Sequence, residues 1–287
     1  MAKRVEVLKT YKTYVGGKFP RSESERTYKV AGPKDVVIAN ACRCTRKDFR
    51  NAMVAARQAF DGWASRSAYN RGQVLYRISE MLEGRKGQFV AELERSGVKT
   101  SQARQEVEKS IDLLVYFAGW SDKYQQVFGS VNPVASSHFN FSQPEPTGVV
   151  SILAPDRLPL LGVVSLVAPI ITGGNVCVVH ASESNPLPAI SFAEVMHSSD
   201  VPGGVVNILT GFRDELTQHF TSHMDVNAIL DAVENQDYRK QIDENAALNI
   251  KRVVHIDPDR ISDGHTADPY LLMEFQEIKT TWHPVGY

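Results

Sequence analysis

GVVSILAPDRLPLLGVVSLVAPIITGGNVCVVHASE, residues 148–183, is the stretch that decides the fold. Residues 148–153 are a short β-rich run, Pro159 suits the first turn of a helix, and residues 160–171 are almost entirely apolar. Gly173, Gly174 and Asn175 then punctuate the chain before a second β-rich run at 176–179. The reading is strand, crossover helix, strand. Two parallel strands require such a crossover, and runs this continuously apolar are buried on both faces, so the unit belongs at the centre of a parallel sheet. In open α/β sheets of this kind ligands collect at the carboxyl ends of the strands. Those ends carry Pro155, Asp156, Arg157, His180 and Glu183.

Working outward, Phe49, Met53, Ala56, Phe60 and Trp63 recur at helical spacing over 47–64, and Leu75, Ile78, Leu82, Phe89 and Leu93 do so over 70–96. A third helix is expected over 101–128. Residues 14–19 read as strand and turn, and 130–148 alternate polar residues with Val, Phe and Pro, which suits an exposed two-stranded arm. Downstream, helices are expected at 187–197, 214–222 and near 238–247, with strands in PGGVVNILTG (202–211), at 226–230 and at 251–256. Residues 257–269, rich in Asp, Gly and Pro, read as a linker before an alternating strand at 273–282.

The 287 residues are 43% hydrophobic, and 32 basic side chains stand against 33 acidic ones, so no global attraction to nucleic acid or membrane is expected. The longest apolar candidate, 158–171, is too short to cross a membrane and holds Pro159 and Pro169. The basic amino-terminal stretch lacks the apolar centre of a signal peptide, and a cytoplasmic chain is expected. Cys42 and Cys44 have no second cysteine pair, and Cys177 sits inside an apolar strand, where a thiol behaves as a small hydrophobe. His219 and His223 lack an adjacent carboxylate, while His255, Asp257, Asp259, Asp263 and His265 lack the glutamate and spacing of a calcium loop. No metal is expected.

Ala154, Pro155, Pro159, Leu160, Leu161, Gly174, Asn175, Ser182 and Glu183 fall where the cofactor domain of NAD(P)-dependent aldehyde dehydrogenases places them, and the chain resembles that family. Glu106, Val107, Asp112, Tyr116, Ala118, Gly119, Trp120, Asp122 and Lys123 match a second family phrase, and PGGVVNILTG a third. The resemblance implies a Rossmann-like cofactor domain made of 1–129 and 148–256. It also implies an oligomerisation flap made of 130–147 and 271–284, with Phe139, Phe141, Phe275, Ile278 and Trp282 as the oligomerisation residues.

At the family's chemical positions the sequence departs. The asparagine that holds the oxyanion falls at Arg157, and the lysine that grips the ribose at His180. The glycine that lets the backbone approach the pyrophosphate falls at Asp231, whose carboxylate is expected to repel it. The general-base glutamate falls at Ile256, and no cysteine follows Cys177, so neither proton abstraction nor a thiohemiacetal is expected. With 257–270 read as replacing the catalytic domain, the chain resembles the truncated, non-catalytic second module of two-module aldehyde dehydrogenases. It is expected to be a pseudoenzyme without catalytic residues that docks through its flap on a full-length aldehyde dehydrogenase, as a hetero-oligomer supporting that partner's activity. NAD(P) is expected to bind weakly or not at all, with residual contacts at Glu183 and His180. Two alternatives stand beside this: a nucleotide-binding regulatory module, or a family oxidoreductase with altered chemistry around Asp156, Arg157, His180 and Glu183. In the plainer account of that cluster, Arg157 is buried against a carboxylate.

Overall fold

A computed structural model describes residues 7–286. Residues 1–6, part of the basic stretch considered above, lie outside the described residues. The elements in chain order are β1 (Thr10–Tyr11), β2 (Thr27–Ala31), β3 (Val37–Cys42), α1 (Arg46–Ala64), α2 (Ala68–Gly84), α3 (Lys86–Arg95), α4 (Thr100–Trp120), α5 (Tyr124–Phe128), β4 (Ser130–Asn132), β5 (His138–Pro146) and β6 (Val149–Leu153). They continue with α6 (Leu161–Thr172), β7 (Val176–His180), α7 (Leu187–His197), β8 (Val206–Leu209), α8 (Arg213–Ser222), β9 (Ala228–Asp231), α9 (Gln236–Ala247), β10 (Arg252–His255), α10 (Pro258–Ser262), α11 (Pro269–Met273) and β11 (Gln276–Pro284).

The central sheet runs β10-β9-β6-β7-β8 with every pair parallel. Its register sets the site. His255 pairs with Asp231, Asp231 with Leu153, Leu153 with His180 and His180 with Leu209, so the carboxyl ends stand in one row. The crossover helix α6 is buried along its whole length. Its start is held by the buried Glu106 carboxylate, which accepts from the amides of Leu160 (2.8 Å) and Leu161 (3.2 Å). A carboxylate there satisfies N–H groups that have no partner inside the helix and complements the helix dipole. At the other end the Trp63 indole donates to the Ile171 carbonyl at 2.9 Å, locking α1 under the sheet.

The helix expected over 70–96 is two, with Arg85 closing α2 and opening α3, and the one over 101–128 breaks after Trp120. The stretch read as a linker is more ordered than its composition suggests. Asp257 and Asp268 cap α10 and α11 by accepting from the amides of Asp259 and Tyr270, and each is followed by a proline in the first turn. Ile261, Leu271 and Leu272 are buried.

Residues 130–146 and β11 form an antiparallel sheet, β11-β5-β4. Phe139, Ile278 and Trp282 are exposed on it and Phe141 is half-buried. Phe275 is fully buried at its base, where its carbonyl accepts from Asn175 Nδ2 at 2.9 Å. A small sheet, β1-β3-β2, lies beside the edge of β8, and that edge is closed by Tyr14, which exchanges two backbone hydrogen bonds with Ile208 at 2.9 and 2.7 Å. Among the described residues no helix is long and apolar enough to cross a membrane.

Candidate functional site

A cavity of about 660 Å³ opens at the carboxyl ends of the strands, between the amino ends of α8 and α9. Glu183 and Asp156 come from the loops after β7 and β6, and Phe212 and Arg213 from the turn after β8. Val233, Glu234 and Asn235 come from the loop after β9. Tyr28 reaches in from β2, its ring tilted against Phe212 with centroids 5.1 Å apart, so one wall is aromatic.

The floor is a charge network. Arg213, whose side chain is 5% exposed, ion-pairs with Asp156 and donates to the Ala154 carbonyl at 2.6 Å. Asp156 Oδ1 accepts from Ser182 Oγ (2.9 Å) and from the amides of Glu183 (2.8 Å) and Ser184 (3.2 Å). Burial alone would push the Asp156 carboxyl up; the Arg213 guanidinium and these donors outweigh it and hold it below the usual carboxylate range. Glu183 Oε2 accepts from the Arg213 amide at 2.7 Å, at the first turn of α8, while Oε1 has no hydrogen-bond partner among the described residues.

His180 lies beneath this floor. It is fully buried, its Nε2 donates to the Gly211 carbonyl (3.1 Å), and its ring rests on Phe220. Burial, with the nearby Arg213 charge second, pushes its pKa down to about 3, so the ring is neutral.

Asp231 does not do what its place in the sequence suggests. Its side chain is fully buried and turned away from the cavity, with Oδ2 at 2.9 Å from His255 Nδ1 and 3.6 Å from Arg239 Nε, and Oδ1 accepting from the Val233 amide at 3.0 Å. The Asp231 carboxylate is thus partnered inside the protein and does not face the cavity, and the carboxylate that stands on this wall is Glu234, paired with Arg157. Arg157 is likewise not buried. Its side chain is 56% exposed and spans Glu234 and Asp259, while Arg213 takes the buried pairing with Asp156. Ile256 is buried, and Cys42, Cys44 and Cys177 are free, buried thiols. Sequence reasoning missed Tyr28, Phe212 and Asn235. An aromatic residue directly after Gly211, at the end of a strand, was the available signal for Phe212; Tyr28 had none, coming from an element 155 positions from Glu183.

The arrangement fits one half of a dinucleotide. The unpartnered Glu183 Oε1 can accept from a ribose hydroxyl. Arg213 Nε is a buried donor without a partner. The amino end of α9, capped by Asn235, favours negative charge, and the Tyr28–Phe212 wall suits a flat ring.

A model of the aldehyde dehydrogenase family matches residues 19–255. Cytosolic 10-formyltetrahydrofolate dehydrogenase of Mus musculus is 31% identical over 88% of this chain and 28% of its own length. The putative aldehyde dehydrogenase DhaS of Bacillus subtilis is 30% identical over 88% of this chain and 52% of its own. The structure of PnpE in complex with nicotinamide adenine dinucleotide superposes with a TM-score of 0.82 at 27% identity, covering 85% of this chain and 50% of that one. The chain thus spans about half the length of the solved structure, and about a quarter to a half of these curated relatives.

These matches overturn several expectations. The family model runs without interruption through the region read as degenerate, and the relatives matched are themselves named dehydrogenases. The reading as a truncated second module, a fold defined by a missing catalytic domain and a pseudoenzyme is therefore withdrawn. Docking on a full-length aldehyde dehydrogenase falls with it, since it rested on that absence. The expectation of weak or absent NAD(P) binding is corrected by the likeness to an NAD complex and by the inward turn of Asp231. Both alternatives, a nucleotide-binding regulatory module and a family oxidoreductase with altered chemistry, stand, and the matches to named dehydrogenases favour the second.

Proposed function

The chain belongs to the aldehyde dehydrogenase family, and from that premise we propose that it binds a nicotinamide dinucleotide in the cavity between α8 and α9 and serves the NAD(P)-dependent oxidation of an aldehyde. The observation that carries this reading is the compensation of Asp231 away from the cavity, with Arg157 offsetting the one carboxylate, Glu234, that the loop after β9 sets on the wall. When bound, the nicotinamide supplies the hydride acceptor. The residues here bind and orient. Glu183 Oε1 accepts from an adenosine ribose hydroxyl, and His180, one layer below, holds the Gly211 turn that presents Phe212 and Arg213. A carboxylate at the ribose favours NAD over NADP, whose additional phosphate it repels. The buried cysteines are not assigned the reaction with aldehyde.

In this reading 1–129 and 148–256 form the dinucleotide-binding unit. Phe139, Phe141, Ile278 and Trp282 are the oligomerisation contacts of the arm, with Phe275 anchoring its base. Three free thiols support a cytoplasmic location, which fractionation of cells expressing a tagged chain checks. Calorimetric titration with NAD, NADP and AMP tests the site. NAD is expected to bind more tightly than NADP, and Glu183→Gln to weaken NAD by roughly tenfold, the worth of one hydrogen bond at an ionised acceptor. Absence of binding by all three at millimolar ligand would sink the reading.

A further inference from the structure

We propose that His255 is a positioning residue for the dinucleotide cavity: by bridging Asp231 and Asp243 it fixes the loop at 232–235 and the first turn of α9 as one wall of the site. This rests on the functional reading above. The bridge joins three elements. His255 ends β10, its Nδ1 lies 2.9 Å from Asp231 Oδ2 at the end of β9, and its Nε2 lies 2.9 Å from Asp243 Oδ1 on α9. Through its other oxygen Asp231 holds the Val233 amide, and Arg239 of α9 donates to the Val233 carbonyl (3.0 Å) and to the Ile256 carbonyl (3.1 Å). Val233, Glu234 and Asn235 line the cavity, so the clamp acts on the wall from behind.

The chemistry of the bridge gives it a signature. A neutral imidazole has one N–H, so between two carboxylates it must set a lone pair against one of them; only the imidazolium donates to both. The inner partner is 0% exposed and the outer 59%, so on deprotonation the proton stays toward Asp231 and the contact to Asp243 is the one released. The other charged groups facing the ring are Arg239 and, across a small cavity of about 120 Å³, Arg260, His265, Asp268 and Glu274. Arg260 and Asp268 stand 4.0 Å apart and offset each other. The hydrogen bond to Asp231 raises the proton affinity of His255, opposed by burial and reinforced by Asp243. The clamp is therefore complete below the ordinary imidazole range and loses its outer half as pH rises through the raised value.

Two measurements on the intact chain test this: amide hydrogen exchange over 232–237, and NAD titration from pH 6 to pH 9, a window about the ordinary imidazole pKa. In the native protein NAD affinity is expected to fall several-fold across that window while exchange at 232–237 quickens. His255→Leu is expected to bind roughly tenfold more weakly with a flat pH profile. Asp243→Ala, which removes the outer partner at a side chain 59% exposed, is expected to flatten the profile with a smaller loss, and it decides the matter should His255→Leu not fold. Native-like exchange at 232–237 in either variant, or an unchanged pH profile, would overturn the clamp. Failure of the native chain to bind NAD would instead remove the functional reading, and exchange alone would then judge the clamp.

Discussion

Replacing Asp156 by alanine would strand the Arg213 guanidinium, whose side chain is 5% exposed, without its carboxylate. Breaking a buried pair by removing one partner costs about 3–5 kcal/mol. Asp156 itself is 42% exposed, so water screens the pair and the expectation falls at the low end, about 3 kcal/mol. The Glu183 amide, which Asp156 also accepts from, can reach water and adds little. For a chain of this size ~3 kcal/mol lowers the thermal midpoint by roughly 6–12 °C. The assay is a cycle of Asp156→Ala, Arg213→Met and the double variant, followed by circular dichroism on heating. Removing both charges leaves neither unpaired, so the double variant is expected to lose less than the sum of the singles by roughly 1–3 kcal/mol. The pH dependence has a definite sign. Because the Asp156 carboxyl is held below its usual range, the stabilisation is complete above about pH 4 and is lost as pH falls through the depressed value. Additivity of the two singles within about 0.5 kcal/mol would refute the reasoning.

Cys42, Cys44 and Cys177 are buried, and desolvation raises the thiols of Cys44 and Cys177, so all three are expected to resist a chromogenic disulfide reagent in the native protein and to react once it is unfolded. Rapid labelling of any one of them under native conditions would show that the core there opens. Trp282, 57% exposed on β11, is expected to lie in a contact between copies of the chain, so Trp282→Lys should shift the mass seen by light scattering toward the monomer. A native chain already monomeric at high concentration would remove that role.

The parallel sheet was legible because residues 148–183 are apolar on both faces, a pattern that admits few other folds. Boundaries inside long helices were not, since Arg85 interrupts the stripe without breaking its period. Glu183 could be placed at a strand end from spacing alone, and the structure sets it on the cavity wall. The direction of Asp231 could not be read. Whether a carboxylate faces a ligand or the core depends on partners elsewhere, and His255 lies 24 positions on, in a strand whose register the sequence does not state. The same holds for Glu106, whose partners at the start of α6 are 54 and 55 positions away. Asp231 is read from sequence as facing a ligand and Glu106 as one more position of a packing helix, because distance along the chain hides the partners of both.

The closure of the β8 edge by the amino-terminal segment also bears on how the chain is made. Gly16 donates to Asn207 Oδ1 across 191 positions, next to the paired Tyr14 and Ile208. At ~5–20 residues per second on the ribosome, those early residues wait roughly 10–40 s for a partner that has not yet been synthesised. Through that interval the aromatic side chains of Tyr14 and Phe19 lack His197, against which both rings pack, and Ile208, with which Tyr14 pairs. A nascent chain halted before residue 208 would present them to whatever binds exposed apolar segments, and release of such a factor should coincide with emergence of β8.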